Sequence, residues 1–274
     1  MTDPVVLHVH IPKCAGTTVE RFFKAAFGKG YWHAQKRSRK VPIDLFSAKY
    51  DPAPKAPLNE IKAVGWHFVG QSMADMFPDR KILRTIILRD PAAMNISRYN
   101  FRMVRYQADG QKPYSFGLNL KSFPPDTSAH FILERWLELP YHKLLTMSAA
   151  EKMDAIDDAL AHFDYVCDIK QTDEMIAWLG QQFGTSTAFD ARNTFEQRKE
   201  KSGVAWTPVK LGDLSDDDRQ ELHRRTRMDE YVWRKWGLGE ADTPRPTDVM
   251  SFASAQPARA YYEWQRHRQR GPKT

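Results

Sequence analysis

Apolar residues run from Val5 to Ile11 with only His8 and His10 interrupting them, a pattern that predicts a buried strand. From Thr17 to Phe27 the period changes. Val19, Phe22, Phe23, Ala26 and Phe27 fall on one helical face, with Glu20, Arg21 and Lys24 mostly off it, and Gly28 and Gly30 stop the helix. Residues 61–70 predict a short strand running into a loop, followed by a helical turn over 73–77. Residues 82–88, Ile-Leu-Arg-Thr-Ile-Ile-Leu, carry the strongest strand signal in the chain. That strand ends at Arg89-Asp90-Pro91, and a helix is expected over about 92–107, with Pro91 at an early position that needs no N–H partner.

Further along, residues 108–126 are rich in Gly, Pro and polar residues and read as a loop. Helices are predicted over about 127–139, 149–162 and 172–183, with a short buried strand at 165–169. Ser215 is a suitable N-cap for a last long helix reaching Trp236, and Asp216, Asp217 and Asp218 suit its positive end. Two stretches lack such periodicity. Residues 31–60 form a Pro-rich insert with the basic run Lys36, Arg37, Arg39 and Lys40, and residues 190–213 form a basic loop with Arg192, Arg198, Lys199 and Lys201. Strands alternating with helices predict an α/β fold, a central parallel sheet flanked by helices. The expected organisation is a single α/β domain over 1–237, with the insert at about 31–60, and a basic C-terminal extension over 238–274.

Composition narrows the function classes. Hydrophobic residues make up 42% of 274, enough to build a core of this size. The formal charge of +7 points towards anionic ligands. Two cysteines, Cys14 and Cys167, far apart in sequence, exclude a disulfide framework and fit a reducing compartment. No apolar run approaches the roughly 20 residues of a membrane span, and the first strand begins too early for a signal peptide. The expectation is a cytoplasmic protein without a membrane span.

The chemistry concentrates where strands end. A strand, a tight loop with Lys13 and a helix opened by Thr17 and Thr18 place backbone N–H groups and a positive dipole end where a phosphate binds. Ligands of parallel α/β sheets gather at the carboxyl ends of strands, so Lys13, the 66–70 loop and Arg89 are expected on one sheet edge. The loop resembles a Walker A sequence without matching it, because Lys13 precedes Gly16. Asp90, between Arg89 and Pro91, suits a turn better than a magnesium site, which weakens a kinase reading. Arg89 offers a guanidinium fork to a phosphate, and Ser97 lies on the first turns of the following helix. No metal is required by this constellation. Cys14 is expected to act as a small spacer within the loop.

With both segments in view, the chain resembles the sulfotransferases that use 3′-phosphoadenosine 5′-phosphosulfate (PAPS). It is most similar to the branch containing carbohydrate 2-O-sulfotransferases and their bacterial relatives. His10-Ile-Pro-Lys-Cys-Ala-Gly-Thr-Thr18 matches that branch's 5′-phosphosulfate loop, and Leu88-Arg89-Asp90-Pro91 through Ser97-Arg-Tyr-Asn-Phe101 matches its 3′-phosphate motif. The spacing of about 70 residues between them also fits. The resemblance implies a P-loop-NTPase-like sulfotransferase fold and a sulfuryl transfer from PAPS to a hydroxyl, leaving 3′-phosphoadenosine 5′-phosphate (PAP). It implies that Lys13, Cys14, Ala15, Gly16, Thr17 and Thr18 cradle the 5′-phosphosulfate, with Lys13 stabilising the leaving oxygen. It further implies that Arg89 and Ser97 hold the 3′-phosphate and that His67 is the base that activates the acceptor. Here Gly65-Trp66-His67-Phe68 carries one residue more than the branch's Gly-His pattern. Relatives often fold a late basic loop over the nucleotide, which makes Arg198 and Lys199 candidates. The implied acceptor is a carbohydrate or glycoconjugate, and no nucleic-acid partner is expected. Two alternatives remain at this point: a divergent P-loop kinase, and a non-catalytic polyanion-binding protein.

Overall fold

A computed structural model describes residues 3–34, 54, 56–188, 200 and 203–252. The basic run at 36–40, Arg198, Lys199 and the stretch from Arg259 to Arg270 lie outside the described residues. The chain divides into two compact units. The first takes residues 1–89, 131–192 and 232–243, and the second takes 90–130, 193–231 and 244–274.

The first unit holds a five-stranded sheet built from β1 (Val5–Val9), β2 (Tyr31–His33), β3 (Ala63–Trp66), β4 (Ile82–Leu88) and β5 (Tyr165–Asp168). The strand order is β2-β3-β1-β4-β5 and each pairing is parallel. The α/β expectation therefore holds at the level of a parallel sheet with helices. All five residues of β1 are buried, as a strand covered on both faces requires. Helix α1 (Gly16–Phe27) buries Val19, Phe22 and Phe23, and Phe27 meets Phe183 of α7 (Thr172–Phe183) at a ring separation of 4.8 Å. After β1 the chain runs out to the edge strand β2, comes back to β3 beside β1, then crosses to β4 and β5 on the other side. The gap between the ends of β1 and β4 is thus the topological switch point, where open α/β sheets bind ligands.

Some of the polar groups inside the first unit pair across its elements. His8 lies directly opposite Thr85 across β1 and β4, and His8 Nδ1 is 3.0 Å from Thr85 Oγ1. The indoles of Trp233 and Trp236 donate to Asp168 and Asp157 at 2.8 and 2.7 Å, fastening residues 233–237 to β5 and to α6 (Ala149–Leu160).

Burial pushes His8 down to about 3. An unfolded histidine titrates near 6.5, so below that pH the unfolded chain binds a proton that the native chain refuses, and native stability falls. His8 alone is expected to remove about 2 kcal/mol between pH 7 and pH 5. Asp229, raised to about 6 by burial, works against this trend below pH 6. Urea unfolding at the two pH values measures the slope, which should flatten in His8→Asn. An unchanged slope in that variant would assign the acid sensitivity elsewhere.

The second unit is helical: α2 (Pro91–Ala108), α3 (Phe116–Lys121), most of α4 (Thr127–Phe131), α8 (Asp216–Arg224) and most of α9 (Arg227–Val232). Tyr99, Met103, Tyr106, Phe116, Leu120, Leu214 and Leu222 form its core. Asn100 joins α2 to the segment before α8. Its amide donates to Val209 C=O at 2.8 Å, and its oxygen accepts from Val209 N–H and the Trp206 indole at 2.9 and 3.1 Å.

Several sequence expectations are corrected here. Residues 31–60 are not wholly an irregular insert: Tyr31–His33 is the edge strand β2, too short to show a period, paired with β3 in the register Tyr31↔Ala63. Residues 108–126 contain α3, capped by Ser115, whose hydroxyl accepts from Leu118 N–H. The expected helix over 127–139 passes from α4 into a wider π-turn at Ile132–Trp136, where Leu137 N–H reaches back to Ile132 C=O. The expected long helix from Ser215 is broken between α8 and α9. Asp126 is the cause. Its carboxylate accepts from Met228 and Asp229 N–H, donors that a continuous helix would turn back on itself, and its N–H takes the Arg225 carbonyl at 2.7 Å. In return, Asp229 accepts from Ser128 and Ala129 N–H at the start of α4. Each helix start is capped by the other's aspartate.

Candidate functional site

The loop leaving β1 is built from strained backbone. Lys13 and Ala15 have φ of 73° and 52°, the left-handed region that costs an L-residue roughly 1–2 kcal/mol. Strain of this kind gathers at ligand sites. Cys14 N–H bonds Ile11 C=O at 3.1 Å to close the turn, and α1 begins at Gly16 with Ala15 as an N-cap that supplies no side-chain bond. Thr18 and Val19 N–H turn back to the Ala15 carbonyl at 2.8 and 3.2 Å, which leaves Gly16 and Thr17 as the first-turn donors without an intrahelical acceptor. Thr17 and Thr18 lie on this first turn, half-buried, and Cys14 is buried with its sulfur 4.0 Å from Pro12 O.

Arg89, one residue beyond β4, donates from Nη1 to Lys13 C=O at 2.9 Å. The guanidinium thus braces the strained loop across the switch point, a role that its place in the sequence did not reveal. Asp90 caps α2, accepting from Ala93 N–H at 2.7 Å. Ser97 lies half-buried in the second unit, on the second turn of α2.

His67 arrives from β3. At Trp66 the backbone has φ of 114°, an outlier for so bulky a residue. His67 Nδ1 is 2.9 Å from the carbonyl oxygen of His10. A carbonyl only accepts, so Nδ1 carries the hydrogen and the lone pair of the neutral ring is on Nε2. The His67 ring stacks on that of His10 with centroids 4.4 Å apart and planes 27° from parallel. Trp66 packs against both rings, at 4.6 and 4.7 Å, and against His33 at 4.7 Å. His33 Nε2 is 3.4 Å from Glu20 Oε1, which also pairs with Lys24 at 2.7 Å. Beyond His67, Glu138 closes the loop by accepting from Ser72 N–H and Oγ at 3.0 and 2.7 Å.

Burial lowers the His67 pKa below the ordinary histidine value. The His10 carbonyl and Glu20 oppose that shift, while the positive potential of His33 and Arg135 adds to it. His10 is lowered further, by complete burial first and then by His67, His8, His33 and Lys13. Both rings are therefore neutral at pH 7. Among the described residues, no group of three or more His, Cys, Asp or Glu is arranged to hold a metal ion.

Lys13, Cys14, Ala15, Gly16, Thr17, Thr18, His67 and Arg89 all lie at the carboxyl edge of the first unit's sheet, the convergence expected from the strand pattern. Sequence reasoning underrated His10, His33 and Trp66. The alternation of His8 and His10 along one strand was the available signal, but the two have different surroundings. Among the described residues, no helix is long and apolar enough to cross a membrane.

The fold and site define an α/β protein with a strained loop-to-helix junction and a neutral histidine on the same edge of a parallel sheet. Compared with known proteins, the chain matches no family model and no curated protein.

Proposed function

We propose that the protein is a PAPS-dependent sulfotransferase with a P-loop-like sulfotransferase fold, acting on a hydroxyl group of a carbohydrate or glycoconjugate. The observation that carries this reading is one juxtaposition. A strained, cationic loop at a helix N-terminus and a neutral histidine with its Nε2 lone pair share the carboxyl edge at the strand-order switch. The donor set fits the 5′-phosphosulfate: Lys13 offers charge, Gly16 and Thr17 offer backbone N–H groups, Thr17 and Thr18 offer hydroxyls, and Cys14 and Ala15 space them. Arg89 is proposed to reach the 3′-phosphate with the donors its bond to Lys13 leaves over. The same role for Ser97 rests on the Ser-x-Tyr-x-Phe motif.

When bound, PAPS supplies an activated sulfuryl group, and the chain's residues have two tasks. His67 Nε2 accepts the proton of the acceptor hydroxyl as its oxygen bonds to sulfur. Lys13 and the N-terminus of α1 stabilise the negative charge that grows on the phosphate oxygen as the old S–O bond breaks. The depressed pKa of His67 keeps it ready as a base at neutral pH and lets it release the proton to solvent afterwards.

Calorimetric titration with PAP beside ADP tests the reading. Selective binding of PAP is expected. Equal binding of the two, or none, would overturn it, and turnover of ATP with magnesium would favour a kinase. Binding to heparin or DNA with steep salt dependence and no nucleotide selectivity would instead favour a polyanion-binding protein.

A further inference from the structure

The His10 side chain has no role in the chemistry described above, yet its ring lies 4.4 Å from that of His67. Its ring is buried, and its Nδ1 has no hydrogen-bond partner among the described residues, a cost that an aromatic hydrocarbon in the same place would avoid. On one side the ring stacks on His67. On the other it fills the space where Gly16 would carry a side chain: a Cβ there would lie 1.9 Å from His10 Cε1 and Nε2. Gly16 is absent from the positive-φ residues, so glycine at this position makes room for the ring and does not serve backbone conformation. One residue thereby constrains His67 twice. The carbonyl of His10 sets the direction of Nδ1 within the ring plane, and the imidazole of His10 sets the plane itself.

We propose that His10 is a positioning residue, its ring wedged between Gly16 and His67 so that Nδ1 of His67 meets the His10 carbonyl and Nε2 is presented to the acceptor hydroxyl. The catalytic part of this inference rests on the sulfotransferase reading, while the placement of the ring does not. The wedge also links the two halves of the site, because the glycine that opens the phosphate-side helix is the glycine that seats the ring behind the base. What matters is the ring's shape and plane, and its buried nitrogen takes no part in proton transfer.

Three variants decide it, read by nitrogen-15 NMR of the histidine side chains and by kinetics. In the native protein, His67 is expected in the Nδ1–H form. In His10→Ala the ring loses its backing and water enters. The Nδ1–H form should give way to a mixture, and kcat should fall by about 10- to 100-fold with PAP affinity unchanged. The acid limb of the pH–rate profile should move up towards the ordinary histidine value, because burial is the main depressing influence on His67. The charged and titratable neighbours that remain are His8 on β1, Lys13 on the loop, Glu20 on α1, His33 on β2 and Arg135 on the π-turn. His10→Phe keeps the stack and should restore the Nδ1–H form and most of kcat. Gly16→Ala, which displaces the ring from the other side, should reproduce the loss of the Nδ1–H form.

An unaltered tautomer and kcat in His10→Ala would overturn the proposal. So would a folded His10→Phe with no rescue, which would give the imidazole nitrogen a chemical role. If the native protein transfers no sulfuryl group, the functional reading fails, and the tautomer measurements still decide the placement. If His10→Ala does not fold, His10→Phe and Gly16→Ala decide it.

Discussion

His67→Gln is expected to lower kcat for sulfuryl transfer by about 10²- to 10⁴-fold, the range in which a positioned general base contributes. PAP binding should stay at the native level, because the groups proposed to hold its phosphates belong to the β1–α1 loop, Arg89 and Ser97. The reason for so large an effect is the state in which His67 is held. Its Nδ1 is committed to the His10 carbonyl at 2.9 Å, its ring is stacked, and burial keeps it unprotonated at neutral pH. Glutamine keeps a polar side chain but cannot accept the proton. In the native protein, kcat/KM for the proposed transfer should be flat above pH 7 and fall on the acid side of the depressed histidine pKa, as the proposed base becomes protonated. That acid limb should vanish from whatever activity His67→Gln retains. Steady-state rates with labelled PAPS across pH provide the measurement, and full activity in the variant would remove His67 from the mechanism.

Lys13→Gly is expected to reduce kcat by about 10²- to 10³-fold, the cost of losing one group aimed at charge that develops in the transition state. Glycine is the informative replacement. With φ of 73° at this position, glycine adopts the native backbone without penalty, and the Lys13 carbonyl that Arg89 braces is retained. Folding should therefore be preserved while the ammonium is lost. Affinity for PAP should weaken less than kcat falls, since the helix N-terminus and Arg89 remain. Thermal unfolding confirms the fold, and calorimetry beside single-turnover kinetics separates binding from chemistry. Equal losses in PAP affinity and in kcat/KM, with kcat intact at saturation, would make Lys13 a binding residue only.

The parts of the fold legible in the sequence are those with strong local periodicity. The buried run that became β1, the seven-residue β4, α1 and α2 each carry a pattern long enough to dominate their neighbourhood. Tyr31–His33 has no such pattern, because three residues cannot display a period, and it became a strand only through pairing with β3. Over 215–236 the apolar spacing is helical throughout, yet a distant carboxylate, Asp126, competes successfully for the N–H groups of Met228 and Asp229. Local propensity cannot report a competitor about 100 residues away in sequence.

The site divides in the same way. Lys13 and Arg89 were legible as strand-end cations, because a parallel α/β sheet carries its ligand groups on one edge. The bond by which Arg89 braces Lys13 was not, since it depends on β1 and β4 being neighbours. His67 was legible as a candidate, but its tautomer follows from meeting the His10 carbonyl 57 positions earlier in the chain. The sequence by itself determined a parallel α/β architecture and a cationic loop entering a helix, because short-range alternation and glycine placement encode both. Only the tertiary structure decided what each histidine meets. His8 lies in β1 and His10 one residue beyond its end, with one chemistry between them, yet His8 faces Thr85 inside the sheet while the His10 ring meets Gly16 and His67. Their difference lies in what each ring touches, which is a property of packing between segments and not of either segment alone.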